Sequence, residues 1–211
     1  MQLFQEFEDL APYLEASDII DFGDQTSCEI AALSSAILER STDEIDYIKN
    51  AFEYVRDNIS HSADILGKVI TCRASEVLQE KEGICYAKSH LLAAILRSNQ
   101  IPTGFCYQRL ISDDEFTLVL HGLNAVYIEK FDKWIRLDAR GNKLGVDSQF
   151  SLEEEKLAFP VRIERGEEDI PVIFARPDKN VIRALRMHKT FDSLWQNLPT
   201  MLDLQCVSNC R

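Results

Sequence analysis

The stretch that decides the fold is residues 83–96, GICYAKSHLLAAIL, where Gly83 and Cys85 lead into an apolar helical pattern. Gly83 predicts a turn, and Cys85 then falls in the first turn of the helix. The first amides of a helix have no intrahelical acceptor and carry the positive end of the helix dipole, so a thiolate at Cys85 is favoured over the thiol. The stretch therefore predicts a nucleophilic cysteine at the start of a helix.

Together with Cys85, a histidine and an aspartate later in the chain provide the side chains that covalent acyl chemistry requires. His121 lies in LHGLNAVY at 120–127, and Asp138 ends WIRLD at 134–138, both strand-like segments. The imidazole would act as general acid and base, and the carboxylate would fix its tautomer. Taken singly, these residues also fit a small buried thiol, a turn histidine and a turn aspartate. Their joint order favours a triad, because His121 and Asp138 can be cross-strand neighbours within about 5 Å.

Helical periodicity dominates the first half of the chain. Helices are predicted over 30–38, 45–55, 74–78 and from Cys85 to about Asn99. Ser41 offers a capping hydroxyl for the second helix, with Glu44 three residues later. Pro102 prevents the Cys85 helix from continuing.

Strand-like segments follow, and the whole chain is predicted to be one domain. Aromatic and β-branched residues predict three strands of an antiparallel meander over 103–111, 117–129 and 133–138. Two late helical stretches are centred on 181–185 and 191–195. The single domain, 1–211, then divides into N-terminal helices (1–54), a catalytic core (about 55–142) and a C-terminal extension (143–211) with a helical tail.

Composition excludes several function classes. The chain has 211 residues with 23 basic and 35 acidic side chains, a net charge of −12, so neither nucleic acid nor a membrane surface is expected as a partner. Residues 1–10 lack the pattern of a secretion signal, and no apolar run approaches the roughly 18 residues that span a bilayer, so a cytoplasmic protein is expected. The six cysteines are too sparse for a disulfide scaffold. Cys206 and Cys210 have no second ligand pair at zinc-like spacing, so no metal site is predicted.

Three segments resemble the signature of the transglutaminase-like superfamily. In this signature a glycine, any residue and a cysteine lead into a helix, and Gly-Ile-Pro then begins a strand. Residues 83–105 match it, with Gln100 where glycine is usual. His121 resembles the superfamily's strand histidine, although His-Gly-Leu replaces the usual His-Ala/Cys-Trp. Residues 134–138 resemble its W-hydrophobic-x-L-D strand.

The resemblance implies a papain-like α+β fold, with the nucleophile helix packed on an antiparallel β-sheet. It implies thioester intermediates and no metal or other cofactor, and it is strongest with bacterial members of the cysteine-protease kind. Activities in the superfamily include peptide hydrolysis, glutamine–lysine crosslinking and deglycosylation, so the fold does not choose among them. We expect a thiol hydrolase that cleaves an amide or peptide bond in a peptide, protein or small amide. Acyl transfer to an amine and a catalytically silent peptide- or protein-binding module are the alternatives.

An oxyanion hole for this chemistry needs two donors. The Cys85 backbone N–H supplies one, and a side chain must supply the other. Gln108, on the strand after the helix, and His61, before it, are the candidates. His90 lies five residues along the helix, a rotation of about 140° from Cys85, and is not expected to be the base.

Overall fold

The computed structural model describes residues 2–23, 28–112 and 116–203, in which an α+β architecture forms. The helices are α1 (Cys28–Leu38), α2 (Glu44–Asn58), α3 (Ala74–Glu80), α4 (Cys85–Ser98), α5 (Lys179–Met187) and α6 (Phe191–Trp195). The strands are β1 (Phe4–Gln5), β2 (Ser60–His61), β3 (Glu82–Gly83), β4 (Thr103–Ile111), β5 (Leu118–Ile128), β6 (Lys133–Leu137) and β7 (Glu168–Phe174). None of the helices in these ranges is long and apolar enough to cross a membrane.

The main sheet has the strand order β1-β7-β4-β5-β6. β4, β5 and β6 form the predicted antiparallel meander, and the α+β class is confirmed. The prediction of a purely antiparallel sheet was incomplete, because β7 adds antiparallel to β4 and β1 adds parallel to β7.

Strand β7 was missed because Pro171 lies inside it. A proline has no N–H for a strand ladder and normally argues against a central strand. Here the pairing of β7 with β4 shifts register between Phe105 and Tyr107, and β1 pairs only with Val172 and Ile173. The proline therefore occupies an irregular part of the ladder, which the local sequence pattern does not reveal.

Helix α4 is the centre of the molecule. It packs against α1, α2 and α3 on one side and β4 and β5 on the other, and its residues 86–97 are all buried. At its end the Ile101 N–H donates to the Leu96 carbonyl (3.1 Å) and the Gln100 N–H to that of Arg97 (3.0 Å). This Schellman motif holds Gln100 at a left-handed φ of +61°. The position therefore has the backbone conformation that favours glycine, the residue that is usual there in the superfamily.

Two local predictions at helix starts were wrong in detail. The cap of α2 is Asp43, whose side chain accepts from the Asp46 N–H (2.9 Å), whereas the Ser41 hydroxyl donates back to the Ile37 carbonyl at the end of α1 (2.8 Å). Gly83 does not lie in a turn. It lies in strand β3, where it pairs with His61 of β2. A Cβ at Gly83 would lie 3.0 Å from Thr71 Oγ1, so close packing explains this glycine.

Candidate active site

His121 and Asp138 lie side by side at the edge of the meander. His121 is on β5, Asp138 directly follows β6, and the imidazole Nε2 donates to Asp138 Oδ2 at 2.8 Å. Both residues are buried. The carboxylate also accepts the N–H of Ala158 at Oδ2 (3.0 Å) and that of Arg140 at Oδ1 (3.1 Å). Two backbone donors thus hold the carboxylate in place, and the carboxylate in turn fixes the imidazole ring.

Cys85 occupies the first position of α4 and lines the same cleft as His121. No side chain caps this helix start, where the N-cap residue is Ile84. Because His121 Nε2 is bound to Asp138, Nδ1 is the ring nitrogen left to interact with the Cys85 sulfur. The structure therefore brings together all three side chains that sequence analysis selected.

The charges of the three groups reinforce one another. Burial lowers the pKa of His121, but the negative charges of Asp138 and of a Cys85 thiolate outweigh it and raise this pKa to about 10. Burial raises the pKa of Asp138, but the charge and hydrogen bond of His121 and the two backbone donors lower it overall. The site therefore stabilises a protonated His121 imidazolium against the Asp138 carboxylate near neutral pH.

The other cysteines in the described part of the chain differ from Cys85. Burial raises the pKa of Cys72 to about 11 and that of Cys106 to about 12, so both remain thiols at neutral pH. Cys28 is exposed and is the first residue of α1, as Cys85 is of α4. Cys206 and Cys210 lie outside the described residues.

Cys85 and His121 line a cleft of about 990 Å³. The segment that follows Asp138 builds one wall, where the Phe159 ring meets the His121 ring edge-on at 5.2 Å. Trp195, from the C-terminal helical tail, lines the cleft as well. Sequence analysis gave no reason to select Trp195 for the cleft, because its position depends on how the extension folds back over the core.

His61 lies on the wall of the same cleft as Cys85. The short parallel pairing of β2 with β3 sets it directly beside Gly83, two residues before the cysteine. Its Nδ1 accepts the N–H of Ala63 (3.3 Å), which leaves the proton on Nε2. Burial and then the positive charge of Arg140 hold the pKa of His61 well below its usual range, so the ring is a neutral donor.

Gln108 does not reach the cleft. It pairs with His121 in the β4–β5 register, but its Nε2 donates to Asp169 Oδ1 on β7 at 3.0 Å and its side chain is buried there. Asp169 belongs to the strand that sequence analysis missed. We therefore do not retain Gln108 as an oxyanion donor.

Lys88 is a buried cation close to the site that the sequence pattern gave no reason to select. Its Nζ donates to the carbonyls of Ile59 (2.5 Å) and Arg56 (3.3 Å), at the end of α2. Burial, and then the charge of Arg140, lower the pKa of Lys88 to about 7. The side chain ties the end of α2, and with it strand β2 and His61, to the helix that carries Cys85.

Comparison with models of protein families shows which family the chain belongs to. The family model of the transglutaminase-like superfamily matches residues 31–139, about half of the sequence. The chain belongs to the transglutaminase-like superfamily. This confirms the resemblance drawn from the cysteine, histidine and aspartate segments. A search of curated proteins found no significant match.

Several solved structures are similar to part of this chain. A candidate cysteine protease from Cytophaga hutchinsonii shares 18% identity with a TM-score of 0.51, over 64% of this chain and 43% of that one. The periplasmic domain of TgpA from Pseudomonas aeruginosa, bound to ethylmercury, shares 14% identity with a TM-score of 0.45, over 60% and 46%. A TGase shares 15% identity with a TM-score of 0.43, over 72% and 44%. This chain thus spans less than half the length of each.

The departure from the superfamily pattern at Gly122 has a local structural cause. A Cβ at this position would lie 2.7 Å from Cδ1 of Tyr86, the residue that follows Cys85. The Tyr86 ring is buried against the strand, and its hydroxyl donates to the Leu120 carbonyl. In this member of the transglutaminase-like superfamily, the tyrosine therefore fills the space that a side chain would occupy next to His121.

Gly122→Ala is expected to lower the free energy of unfolding by about 1–3 kcal/mol, the usual cost of overpacking a close-packed site. The added methyl group pushes the Tyr86 ring away from β5 and strains its hydrogen bond to Leu120. Urea denaturation followed by circular dichroism measures the change. Gly23→Ala is the control, since a Cβ at Gly23 meets nothing within 4 Å. Equal stability of the two variants would contradict the packing argument.

Proposed function

We propose that this member of the transglutaminase-like superfamily is a thiol hydrolase that cleaves an amide or peptide bond through an acyl-enzyme on Cys85. One observation carries the proposal: the imidazole of His121 is hydrogen-bonded to the Asp138 carboxylate and lines the same cleft as Cys85. A thiolate, a general acid and an orienting carboxylate are the groups that acyl transfer through sulfur requires. A peptide, a protein or a small amide is the proposed substrate.

Acylation follows from the arrangement of the groups. The Cys85 thiolate attacks the carbonyl carbon, a C–S bond forms, and the π electrons move to oxygen. The Cys85 backbone N–H and the neutral His61 Nε2–H are the proposed donors to this oxyanion. As the intermediate collapses, the C–N bond breaks and its electron pair takes the proton from His121 Nδ1, which releases the amine.

Deacylation reverses the roles of the same groups. His121, now neutral, accepts a proton from water while the water oxygen attacks the thioester carbon. The C–S bond then breaks, the thiolate leaves with the electron pair, and His121 is again an imidazolium. Asp138 holds the ring in one orientation through both steps. These two steps use only side chains, the backbone and water.

Iodoacetamide at pH 6 is expected to alkylate Cys85 at least about tenfold faster than Cys28, because only a thiolate attacks and an ordinary thiol is about 0.3% ionised at that pH. Mass mapping of the labelled peptides gives the rate at each cysteine. Cys28 is a matched internal control, since both cysteines begin a helix and the imidazolium is what distinguishes Cys85. His121→Ala should therefore bring the Cys85 rate down toward that of Cys28, and Cys85→Ala should remove the fast adduct.

Equal labelling of Cys85 and Cys28 in the parent would contradict the proposal and favour a silent binding module. An acyl-donor probe then separates the two reactions of an active thiol. Hydrolysis predicts that the Cys85 acyl adduct turns over in water alone, whereas acyl transfer predicts turnover that accelerates with added amine and a product that contains this amine.

A further inference from the structure

We infer that an apolar recess next to Cys85 selects the substrate by a bulky apolar side chain near the scissile amide, and that Leu66 forms its outer wall. This inference rests on the proposed hydrolase function. The recess has a volume of about 300 Å³. Its described lining residues are Ala63, Leu66, Phe191, Asp192, Trp195 and Gln196. Ala63, Trp195 and Gln196 also line the main cleft, so the recess adjoins the cleft that contains Cys85.

Two aromatic rings form the inner wall of the recess. Phe191 and Trp195 lie one turn apart on α6 and stack at 5.5 Å with an angle of 27° between their planes. The edge of Trp195 also meets His61 at 6.5 Å, which connects the recess to the proposed oxyanion donor. Both rings are half-buried, so each keeps apolar surface that a ligand can cover. Such a surface next to a reactive group is typical of a pocket for an apolar side chain.

Leu66 has no role that the fold itself explains. It is 85% exposed, so it contributes little to the core. Its backbone has a φ of +53°, a left-handed conformation that glycine or asparagine adopts with less strain than leucine. An exposed leucine in this conformation carries a cost in stability, and a contact with substrate would account for it.

The loop that carries Leu66 is held in a defined position relative to the triad. The Gly67 N–H donates to the Ser62 carbonyl at 2.8 Å and closes the loop. Asp64, within the loop, accepts from Arg140 Nη2 at 2.8 Å, and the Arg140 backbone donates to Asp138. The loop that carries Leu66 is thereby linked through Arg140 to Asp138, which is proposed to orient the imidazole of His121. A side chain that determines specificity needs such a fixed position relative to the reacting groups.

The charge of the recess indicates which side chains it rejects. Among the described residues that line it, Asp192 is the only charged one. An acidic side chain would be repelled by this carboxylate, and a short side chain would leave the aromatic wall uncovered. Leucine- or phenylalanine-sized groups fit the volume and the apolar wall.

The test uses aminoacyl chloromethyl ketones that differ only in their side chain: alanine, leucine, phenylalanine, aspartate and lysine. The second-order rate of Cys85 labelling, followed by mass spectrometry, measures preference without requiring turnover. In the parent protein we expect leucine and phenylalanine reagents to react at least about tenfold faster than alanine, which is the discrimination that a few methylene groups provide. The aspartate reagent should be the slowest. A lysine reagent faster than both apolar ones would overturn the inference and indicate an anionic subsite that binds a cationic side chain.

Leu66→Asn separates recognition from folding. It should reduce the advantage of the leucine and phenylalanine reagents about fivefold or more, leave the alanine reagent within twofold, and raise Tm by a few degrees, because asparagine accepts the left-handed conformation. Opposite effects on binding and stability cannot arise from partial unfolding. Leu144→Asn is the control, since Leu144 is also exposed but does not line the recess.

The outcomes distinguish the inference from the function on which it rests. If iodoacetamide labels Cys85 fast in both the parent and Leu66→Asn, the triad is active whatever the recess does. A Leu66→Asn variant that keeps the full preference for apolar reagents, or that slows all five reagents equally, then overturns this inference alone. Slow iodoacetamide labelling of the parent overturns the proposed function, and the inference with it.

Discussion

Replacing Asp138 with asparagine is expected to lower kcat/KM for amide hydrolysis by about 10³- to 10⁴-fold, or about 4–5 kcal/mol of transition-state stabilisation. The carboxylate of Asp138 accepts three hydrogen bonds, from His121, Ala158 and Arg140. An amide has a single acceptor oxygen, so its NH₂ group must face one of these donors. If the NH₂ group faces His121, Nε2 becomes an acceptor and the ring proton moves to Nδ1, the wrong tautomer for accepting a proton from water.

Loss of the Asp138 charge also changes the pH dependence. This charge helps to raise the pKa of His121 from its ordinary value near 6.5 to about 10. The imidazolium therefore persists between pH 6.5 and about 10, where an ordinary histidine would be neutral. Because the folded-state pKa is raised, the ion pair adds stability at low pH and this contribution is lost as pH rises through about 10. In Asp138→Asn, the imidazolium should therefore deprotonate at lower pH, and the alkaline limit of kcat/KM should move to lower pH with it.

The measurement is kcat/KM together with the iodoacetamide rate at Cys85 from pH 5 to 10.5, with circular dichroism to verify folding. Glu154→Gln provides a matched acid-to-amide control at an exposed position and should leave both profiles unchanged. A folded Asp138→Asn protein that retains more than a tenth of the parent kcat/KM would show that the carboxylate does not orient the base.

The largest expected effect on stability comes from Arg97→Met, at about 3–5 kcal/mol. Arg97 lies near the end of α4 with 1% of its surface exposed. Its guanidinium donates to the carbonyls of Thr103 (3.0 Å from Nε), Ala175 (2.7 Å) and Glu15 (2.8 Å). Burial lowers the pKa of Arg97 to about 10, although the charge of Glu15 opposes this shift.

Methionine has a similar reach but no donors, so three carbonyls from separate segments lose their partners at about 1–3 kcal/mol each when they stay buried. Urea denaturation should show this loss in the free energy of unfolding, with a fall in Tm of about 10–15 °C. Arg183→Met on α5 is the control, because Arg183 is exposed and donates to the nearby Asn180 side chain; we expect a change within about 0.5 kcal/mol. A loss below 1 kcal/mol in Arg97→Met would mean that water or a backbone shift replaces the guanidinium.

Positions where the sequence departs from the superfamily pattern are informative once the structure is known. Gln100 adopts the left-handed conformation in which glycine is usual, and Gly122 leaves space for the Tyr86 ring. From the sequence, the first was a mismatch in a motif and the second was a glycine where alanine or cysteine is usual. Each has a local physical cause, and neither displaces Cys85 or His121 from its element.

The short-range pattern of the chain was enough to predict the helix of Cys85, the three-stranded meander and the order of cysteine, histidine and aspartate. A helix start, a strand and a tight turn depend on residues within a few positions of one another, so short stretches of sequence are enough to predict them. The register of β4 with β5, which pairs Gln108 with His121, was not predicted from the sequence and is known only from the structure.

Tertiary structure alone decided which of these side chains face the cleft. Gln108 turns to Asp169 because β7 adds to the sheet, and Ala158 and Phe159 reach the triad because the C-terminal extension folds back over it. Both outcomes depend on contacts between segments far apart in the chain, whose free energy comes from burial and hydrogen bonding in the assembled core. No local pattern of residues encodes such contacts, which is why Cys85, His121 and Asp138 could be selected from the sequence and the set of side chains that line the cleft could not.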